Sequence, residues 1–338
     1  MRPAFRWLFG ILLFSALAHA AAGTLDDVKD RGVLRCGVNG LVPGLSYKDA
    51  AGQWTGLDVD FCRAVAAAAL GDKDKVEFIA LSNKERLDAL GKGRVDLLSR
   101  NTTWTLSRDV QHGMTFAGIL YFDGQGFMVR RETGLLSSLE LGGKSVCALA
   151  DSTSVENARR YFTRHRMELE LVTFDDFAAA KQAYLDDKCD AFTGDHSQLH
   201  ALRVGLGDPR AHRILPEVIS KEPLGPAVRK GDPAWFDLVR WTRHVLIDAA
   251  ELGIDSANVA RVRDEAKSAE TRLLLDLDGQ AAALLGVEPG WGQRIIAQVG
   301  NYDELFERNL GAQSPLRIKR GLNALWRDGG LLYAPPAR

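Results

Sequence analysis

The order strand, helix, strand, helix, strand can be read twice along this chain, and that repetition constrains the fold more than any other feature. The first round opens with an apolar run over residues 33–38 that ends beyond Gly37. A helix follows over 56–70, where Phe61, Val65 and Ala69 recur beside Cys62, Ala66 and Leu70 at helical spacing. Residues 76–80 form the next strand. Ser82 and Glu85 then stand three apart, so the hydroxyl can bond the backbone of the first turn while the carboxylate reaches back. That helix stops near Gly91 and Gly93, and residues 95–98 are a third strand. The second round reads strand 144–149, helix 154–166, strand 169–173, a helix entered through Thr173 and Asp176 and running to about Asp186, and strand 189–192. Such alternation is the pattern of a parallel α/β sheet. Residues 87–101 can be laid over 181–195 without a gap, which sets Val95-Asp96 on Cys189-Asp190 and Asn101 on Asp195. Two similar α/β lobes are expected.

Two stretches between the rounds have hinge character. Residues 121–129 are extended and contain Gly124 and Gly126; residues 219–228 contain Pro223, Gly225 and Pro226, which enforce an extended chain. If both cross between lobes, lobe 1 is discontinuous, made of residues 23–122 and 227–338, and lobe 2 is residues 123–226. The mainly helical stretch from Trp235 onward then packs on lobe 1 as a C-terminal extension. Two crossings leave a cleft, and ligand sites favour such interfaces.

Residues 1–22 read as a secretory signal. Arg2 and Arg6 precede apolar residues 7–17, and Ala18-His19-Ala20 is a cleavage-type ending, with the cut expected after Ala20. A spanning helix needs about 20 apolar residues, more than this run holds. The mature chain is expected to be exported and soluble. The formal charge is −1, and loss of Arg2 and Arg6 takes it to −3. Nucleic acid and anionic membrane surfaces are therefore not expected partners. The basic run Arg159, Arg160, Arg164, His165 and Arg166 reads as a solvated helix face. An oxidising compartment favours disulfides, and Cys36, Cys62, Cys147 and Cys189 allow three pairings. Cys36–Cys62 with Cys147–Cys189 keeps each bridge within one lobe; buried free thiols are the alternative.

No G-x-S-x-G, H-E-x-x-H or phosphate-cradling G-x-x-x-x-G-K-[ST] is present. His196 and His200 lie four apart, but no carboxylate motif accompanies them, so neither a metal nor a cofactor is expected. The segment 99–108 follows a strand end, where parallel sheets place ligands. It carries Asn101, Thr103 and Arg108, and Arg108 can grip a carboxylate with two parallel hydrogen bonds or make a surface ion pair instead. Ser152 and Thr153 open a helix whose N–H groups favour an anion, although Asp151 beside them would compete, and Asp151 or Ser152 can simply cap that helix. Asp195, after the last strand, suits an α-ammonium group or an N-cap. Arg108 and Asp195 from opposite lobes would clamp a zwitterion.

The chain resembles the general L-amino-acid-binding proteins of bacterial ABC transporters, within the polar amino-acid solute-binding family. The resemblance rests on Leu34-Arg35-Cys36-Gly37-Val38, residues 56–65, 98–108, 121–129 and 219–228, Gly300-Asn301-Tyr302, Phe306-Glu307-Arg308-Asn309, residues 320–326, and Tyr333-Ala334-Pro335-Pro336. It implies a type II periplasmic binding protein fold: two lobes with parallel or mixed sheets, a hinge of two extended crossings and a helical C-terminal extension. It further implies a monomer that binds free L-amino acids and docks on membrane permease subunits. By the same resemblance Arg108 holds the α-carboxylate and Asp195 the α-ammonium, Asn101 and Thr103 line the first lobe, Ser152 and Thr153 the second, and Asn39 faces the ligand. The chain departs from the family at Asp151, where glycine is usual, and at Leu45, where an aromatic is usual. Two other readings compete. A periplasmic dehydratase acting on a cyclic acid would need a general acid, for which Asp151 is the candidate. A sensory domain would need a transmembrane segment, and none is expected after residue 338.

Overall fold

Two five-stranded mixed sheets organise residues 23–336, the part of the chain that a computed structural model describes; the signal read over residues 1–22 lies outside the described residues. In the first sheet the strands run in the order Val76–Ala80, Leu34–Val38, Leu97–Leu98, Ala227–Arg229, Met114–Phe116. In the second the order is Glu170–Phe174, Ser145–Leu149, Ala191–Asp195, Gln125–Arg130, His212–Ile214. Each sheet thus places its second strand outside its first, and its third on the other side, all three parallel. Each then adds an antiparallel strand that has just crossed from the other side, Ala227–Arg229 in one and Gln125–Arg130 in the other.

The likeness between the rounds extends to single atoms. The Asp96 carboxylate accepts the Arg35 backbone N–H at 2.8 Å and the Asp96 N–H donates to the Arg35 carbonyl at 2.9 Å. Asp190, its counterpart in the gapless overlay, accepts from the Ser145 N–H at 2.8 Å and donates to the Ser145 carbonyl at 3.0 Å. In both places a short acid at the entry of the third strand fastens the first strand beside it.

The two crossings pair with each other. Tyr121–Asp123 and Glu222–Leu224 form an antiparallel ladder with Glu222 opposite Asp123. Gly225 is required where they leave it, because a Cβ there would stand 2.1 Å from the Gly118 carbonyl oxygen. The C-terminal helices brace this hinge. Tyr302 donates its hydroxyl to the Leu120 carbonyl at 2.8 Å, and the Asn323 amide bonds both the N–H and the carbonyl of Phe122, at 2.7 and 3.0 Å. Trp291–Val299 packs on Leu57–Leu70 and Pro233–Glu251, so the extension shares the core of the first sheet. Asp60 ties the same parts, accepting from Arg308 at 2.8 Å and Asn309 at 2.7 Å.

Both disulfides form as favoured. Cys36–Cys62 joins the first strand to helix Leu57–Leu70, with Cα atoms 6.2 Å apart, and Cys147–Cys189 closes the second sheet, at 5.6 Å. The Ser82–Glu85 cap is present, with Glu85 accepting from the Ser82 hydroxyl at 2.7 Å and donating its N–H to that oxygen at 3.2 Å. The second cap differs from expectation. Thr173 stays in the strand, paired with Ala148, and Asp176 alone caps helix Phe177–Leu185 through the Ala179 N–H at 2.7 Å. Sheet pairing holds Thr173 extended, so it cannot turn into the helix entry. Among the described residues, no helix is long and apolar enough to cross a membrane.

Candidate functional site

The third strands of the two sheets end facing one another, and the residues that follow them make the site. On the first side, Leu97–Leu98 leads into a loop held from below by Asp58 of helix Leu57–Leu70. The Asp58 carboxylate accepts the Ser99 hydroxyl at 3.0 Å and the Asn101 N–H at 2.8 Å, which fixes Asn101 in the left-handed region at φ 37°. Burial nevertheless pushes the Asp58 carboxyl up to about 6, against the pull of those donors and Arg100. The Asn101 side-chain oxygen accepts from the Asn39 amide at 3.2 Å.

On the second side, Asp195 ends strand Ala191–Asp195 and stands at the N-cap position of helix His196–Val204, yet its carboxylate accepts no capping bond. The capping alternative is therefore not what occupies it. It is 6% exposed, and burial followed by repulsion from Asp123 and Glu222 pushes its pKa well above the carboxylate range, with Arg86 and Arg108 opposing. Asp123 is likewise pushed to about 6, chiefly by burial.

Glu222, 1% exposed, joins the two sides. It accepts the hydroxyls of Thr103 at 2.6 Å, Thr153 at 3.0 Å and Ser220 at 2.7 Å, and the amide of Asn157 at 2.6 Å. Thr103 comes from the first side; Thr153 and Asn157 come from helix Thr153–Arg164 on the second. A further bond crosses at Asn83, whose amide donates to the Ala150 carbonyl at 3.1 Å.

Arg86 faces the same space. It is 4% exposed, and its Nε has no hydrogen-bond partner among the described residues. Burial first, then Arg100 and Arg108, drive its pKa down, while Asp195 and Asp151 hold it up. A buried guanidinium left in this way is costly unless an anion joins it.

Of the residues expected from sequence, Asn101, Thr103, Ser152, Thr153 and Asp195 share one wall with Arg86, around a residual space of about 20 Å³. Ser152 turns its hydroxyl to the Leu149 carbonyl at 2.6 Å and makes no side-chain cap. Arg108 is buried behind that wall, donating to the Thr103 carbonyl at 2.8 Å, close enough for Glu222 and Asp195 to raise its pKa against burial. Asn39 borders the adjoining cleft. Asp151 is exposed at φ 52° and is not on the wall, and neither are His196 and His200. Sequence reading missed Arg86, Glu222 and Asp58. Only the Ser82–Glu85 cap, which starts the helix carrying Arg86, pointed toward one of them. Two guanidiniums near a buried carboxylate without a capping bond can hold a dipolar molecule by both its charges.

The chain matches the family model described as bacterial extracellular solute-binding proteins, family 3, over residues 34–251. It is 47% identical to the general L-amino acid-binding periplasmic protein AapJ of Rhizobium johnstonii over 94% of both chains. It is 43% identical to the glutamate/glutamine/aspartate/asparagine-binding protein BztA of Rhodobacter capsulatus over 98% of both. Among solved structures, a periplasmic binding protein from Brucella ovis with glutathione bound superposes with a TM-score of 0.92 at 48% identity, covering 94% of this chain and all of that one.

Proposed function

Because this chain belongs to family 3 of the bacterial extracellular solute-binding proteins, we propose that it captures free L-amino acids between its two sheets for an ABC importer. Its fold is that of a type II periplasmic binding protein, and it is a solute-binding component of an amino-acid transporter, not an enzyme. The dehydratase alternative has lost its candidate acid, since Asp151 is exposed and does not line the wall.

The observation that carries the ligand reading is the pair of buried, incompletely partnered charges, Asp195 without a capping bond and Arg86 with a free Nε. In this reading Asp195 takes the α-ammonium, Arg108 with Arg86 takes the carboxylate, and Asn101, Thr103, Ser152 and Thr153 complete the shell, with Asn39 holding Asn101. Glutathione, bound to the Brucella ovis relative, supports this reading because its γ-glutamyl end carries the same free ammonium and carboxylate as an amino acid. The lobes are residues 23–122 with 227–338, and 123–226. Ligand bridging them shifts the population toward the closed form, which the permease subunits then recognise. The chain is exported to the periplasm by residues 1–22 and works as a monomer.

The test is a titration of ligand-stripped protein with the twenty L-amino acids, following the melting temperature. A hundredfold excess over Kd adds about 2.7 kcal/mol to stability. Stabilisation by several L-amino acids that disappears in Arg108→Ala and Asp195→Ala is expected. No stabilisation by any of them would refute the ligand class.

A further inference from the structure

The helical extension contains a cavity that has no part in the clamp. It measures about 240 Å³ and lies between helices Pro233–Glu251, Ala269–Leu275, Gln280–Leu285 and Trp291–Val299. Its walls are mainly apolar, with Trp241, Val245, Leu274, Leu285 and Trp291 among them, and the one ionisable group in the lining is Asp248. Asp248 stands against local preference. It occupies the last turn of Pro233–Glu251, which carries no basic residue, so its charge meets the negative end of the helix dipole. Glu251 follows three positions later, a spacing at which like charges repel. Among the described residues no cation and no hydrogen-bond donor offsets this: burial first, then Glu251 and Glu270, push the Asp248 carboxyl up to about 7. A second polar group of the wall is also unmet. Trp291 is 3% exposed, and its indole N–H has no acceptor among the described residues. Local rules are broken in this way chiefly at functional sites, where something else offsets the cost.

The lining selects what that something is. The missing partner of a lone carboxylate is a cation. A metal ion of the hard class takes about six or more oxygen ligands, and the side chains of this wall offer oxygens only from Asp248 and Gln280. An organic ammonium needs one carboxylate beside apolar or aromatic surface, and indole faces attract it more than other rings do. A free amino acid does not suit the cavity, because no basic side chain lines it to hold the carboxylate. The volume lies below the range of about 300–1,000 Å³ typical of drug-sized ligands, so the occupant is small. We propose that this cavity binds a small organic ammonium ion, with its charge on Asp248 and its apolar body against Trp241 and Trp291, at a site separate from the amino-acid clamp.

The experiment is calorimetric titration of the mature chain at about pH 8, where Asp248 is ionised, with tyramine and with tyrosol, which carries a hydroxyl in place of the ammonium. Tyramine is expected to bind about tenfold or more tightly than tyrosol, because only the charged molecule pairs the carboxylate. Asp248→Asn is expected to bind the two within about twofold of each other while melting no lower than the parent, since it removes an unpaired, partly buried charge. Ala281→Trp fills the cavity from a half-buried position and is expected to weaken tyramine by about tenfold or more. Asp195→Ala alters the clamp and is expected to leave the affinity for tyramine within about twofold of the parent's. Absence of tyramine binding, tyramine bound no more tightly than tyrosol, or tyramine affinity kept in Asp248→Asn overturns the proposal. Binding that Asp195→Ala abolishes also overturns it, by placing tyramine at the clamp, and so does a folded Ala281→Trp that binds tyramine unchanged.

Discussion

Replacing Glu222 with alanine removes the acceptor of four hydrogen bonds at 2.6, 2.6, 2.7 and 3.0 Å in a position 1% exposed. Each such bond to a charged acceptor contributes about 1.5–3 kcal/mol singly. The four are not additive, since the hydroxyls of Thr103, Thr153 and Ser220 can turn to water entering the vacated volume. A total loss of about 3–5 kcal/mol is the scale for breaking a buried polar network. The loss divides by geometry. Thr103 belongs to the loop after the first sheet's third strand, whereas Thr153 and Asn157 belong to a helix on the second sheet, so their meeting on one carboxylate exists only when the two sides are together. Assigning about 2–3 kcal/mol to that meeting predicts an amino-acid Kd raised about 30- to 150-fold. The remaining 1–2 kcal/mol or so lowers the unfolding free energy of the ligand-free protein. Glu222→Gln keeps one oxygen for two of the donors and is expected to weaken binding by less than about tenfold. Calorimetric titration and urea unfolding of the two variants measure both parts. If Glu222→Ala binds within about threefold of the parent and unfolds within about 0.5 kcal/mol of it, the hub adds nothing measurable and the reasoning is wrong.

Arg86→Met is expected to raise the stability of the ligand-free protein by about 1–3 kcal/mol while weakening amino-acid binding at least tenfold, because it removes a buried charge that only the ligand satisfies; urea unfolding beside titration checks both signs. Asp123, with an ordinary value of 3.8 and a folded value of about 6, contributes stability that is present below about pH 4 and lost as pH rises through 6. Unfolding at pH 4.5 and 7.5 should therefore show a larger loss for the ligand-free parent than for Asp123→Asn, and equal losses would contradict the assignment. Asp195 must be ionised to hold an ammonium and its pKa is raised, so affinity for amino acids should fall as pH is lowered through that raised value, and binding titrations over a pH series follow it. Replacing Cys147 and Cys189 together by alanine opens a link between residues 42 apart and is expected to reduce stability by about 4 kcal/mol on loop-closure grounds, against about 3.5 for Cys36 and Cys62, which are 26 apart.

What was legible in the sequence was whatever depends on neighbours a few residues away. Apolar spacing placed helix Leu57–Leu70 and strands Leu34–Val38, Val76–Ala80 and Ser145–Leu149 within a residue or so, and the Ser82–Glu85 spacing announced a real cap. The gapless overlay aligned Asp96 with Asp190, whose matching bonds to Arg35 and Ser145 show the repeat. Glycine and proline marked the two crossings because they restrict or free the backbone wherever they stand. Where pairing with a distant strand decides, local reading erred. Thr173 looked like a helix cap until its ladder with Ala148 held it extended, and the third strand, read over 95–98, pairs only at Leu97–Leu98.

The site was legible in part for the same reason. Asn101, Thr103, Ser152, Thr153 and Asp195 follow strand ends or open helices, so sheet topology alone brings them to one wall. Arg86, Asp58 and Glu222 carry no such mark. Their importance comes from burial and, for Asp58 and Glu222, from partners such as Ser99 and Thr103, 41 and 119 residues away, and neither is a property of sequence spacing. An arginine opening a surface-looking helix and a glutamate in a proline-marked crossing read as solvated charges. Only the folding of two sheets onto one hinge removes their water, leaving Glu222 to be satisfied by four donors and Arg86 to wait for an anion.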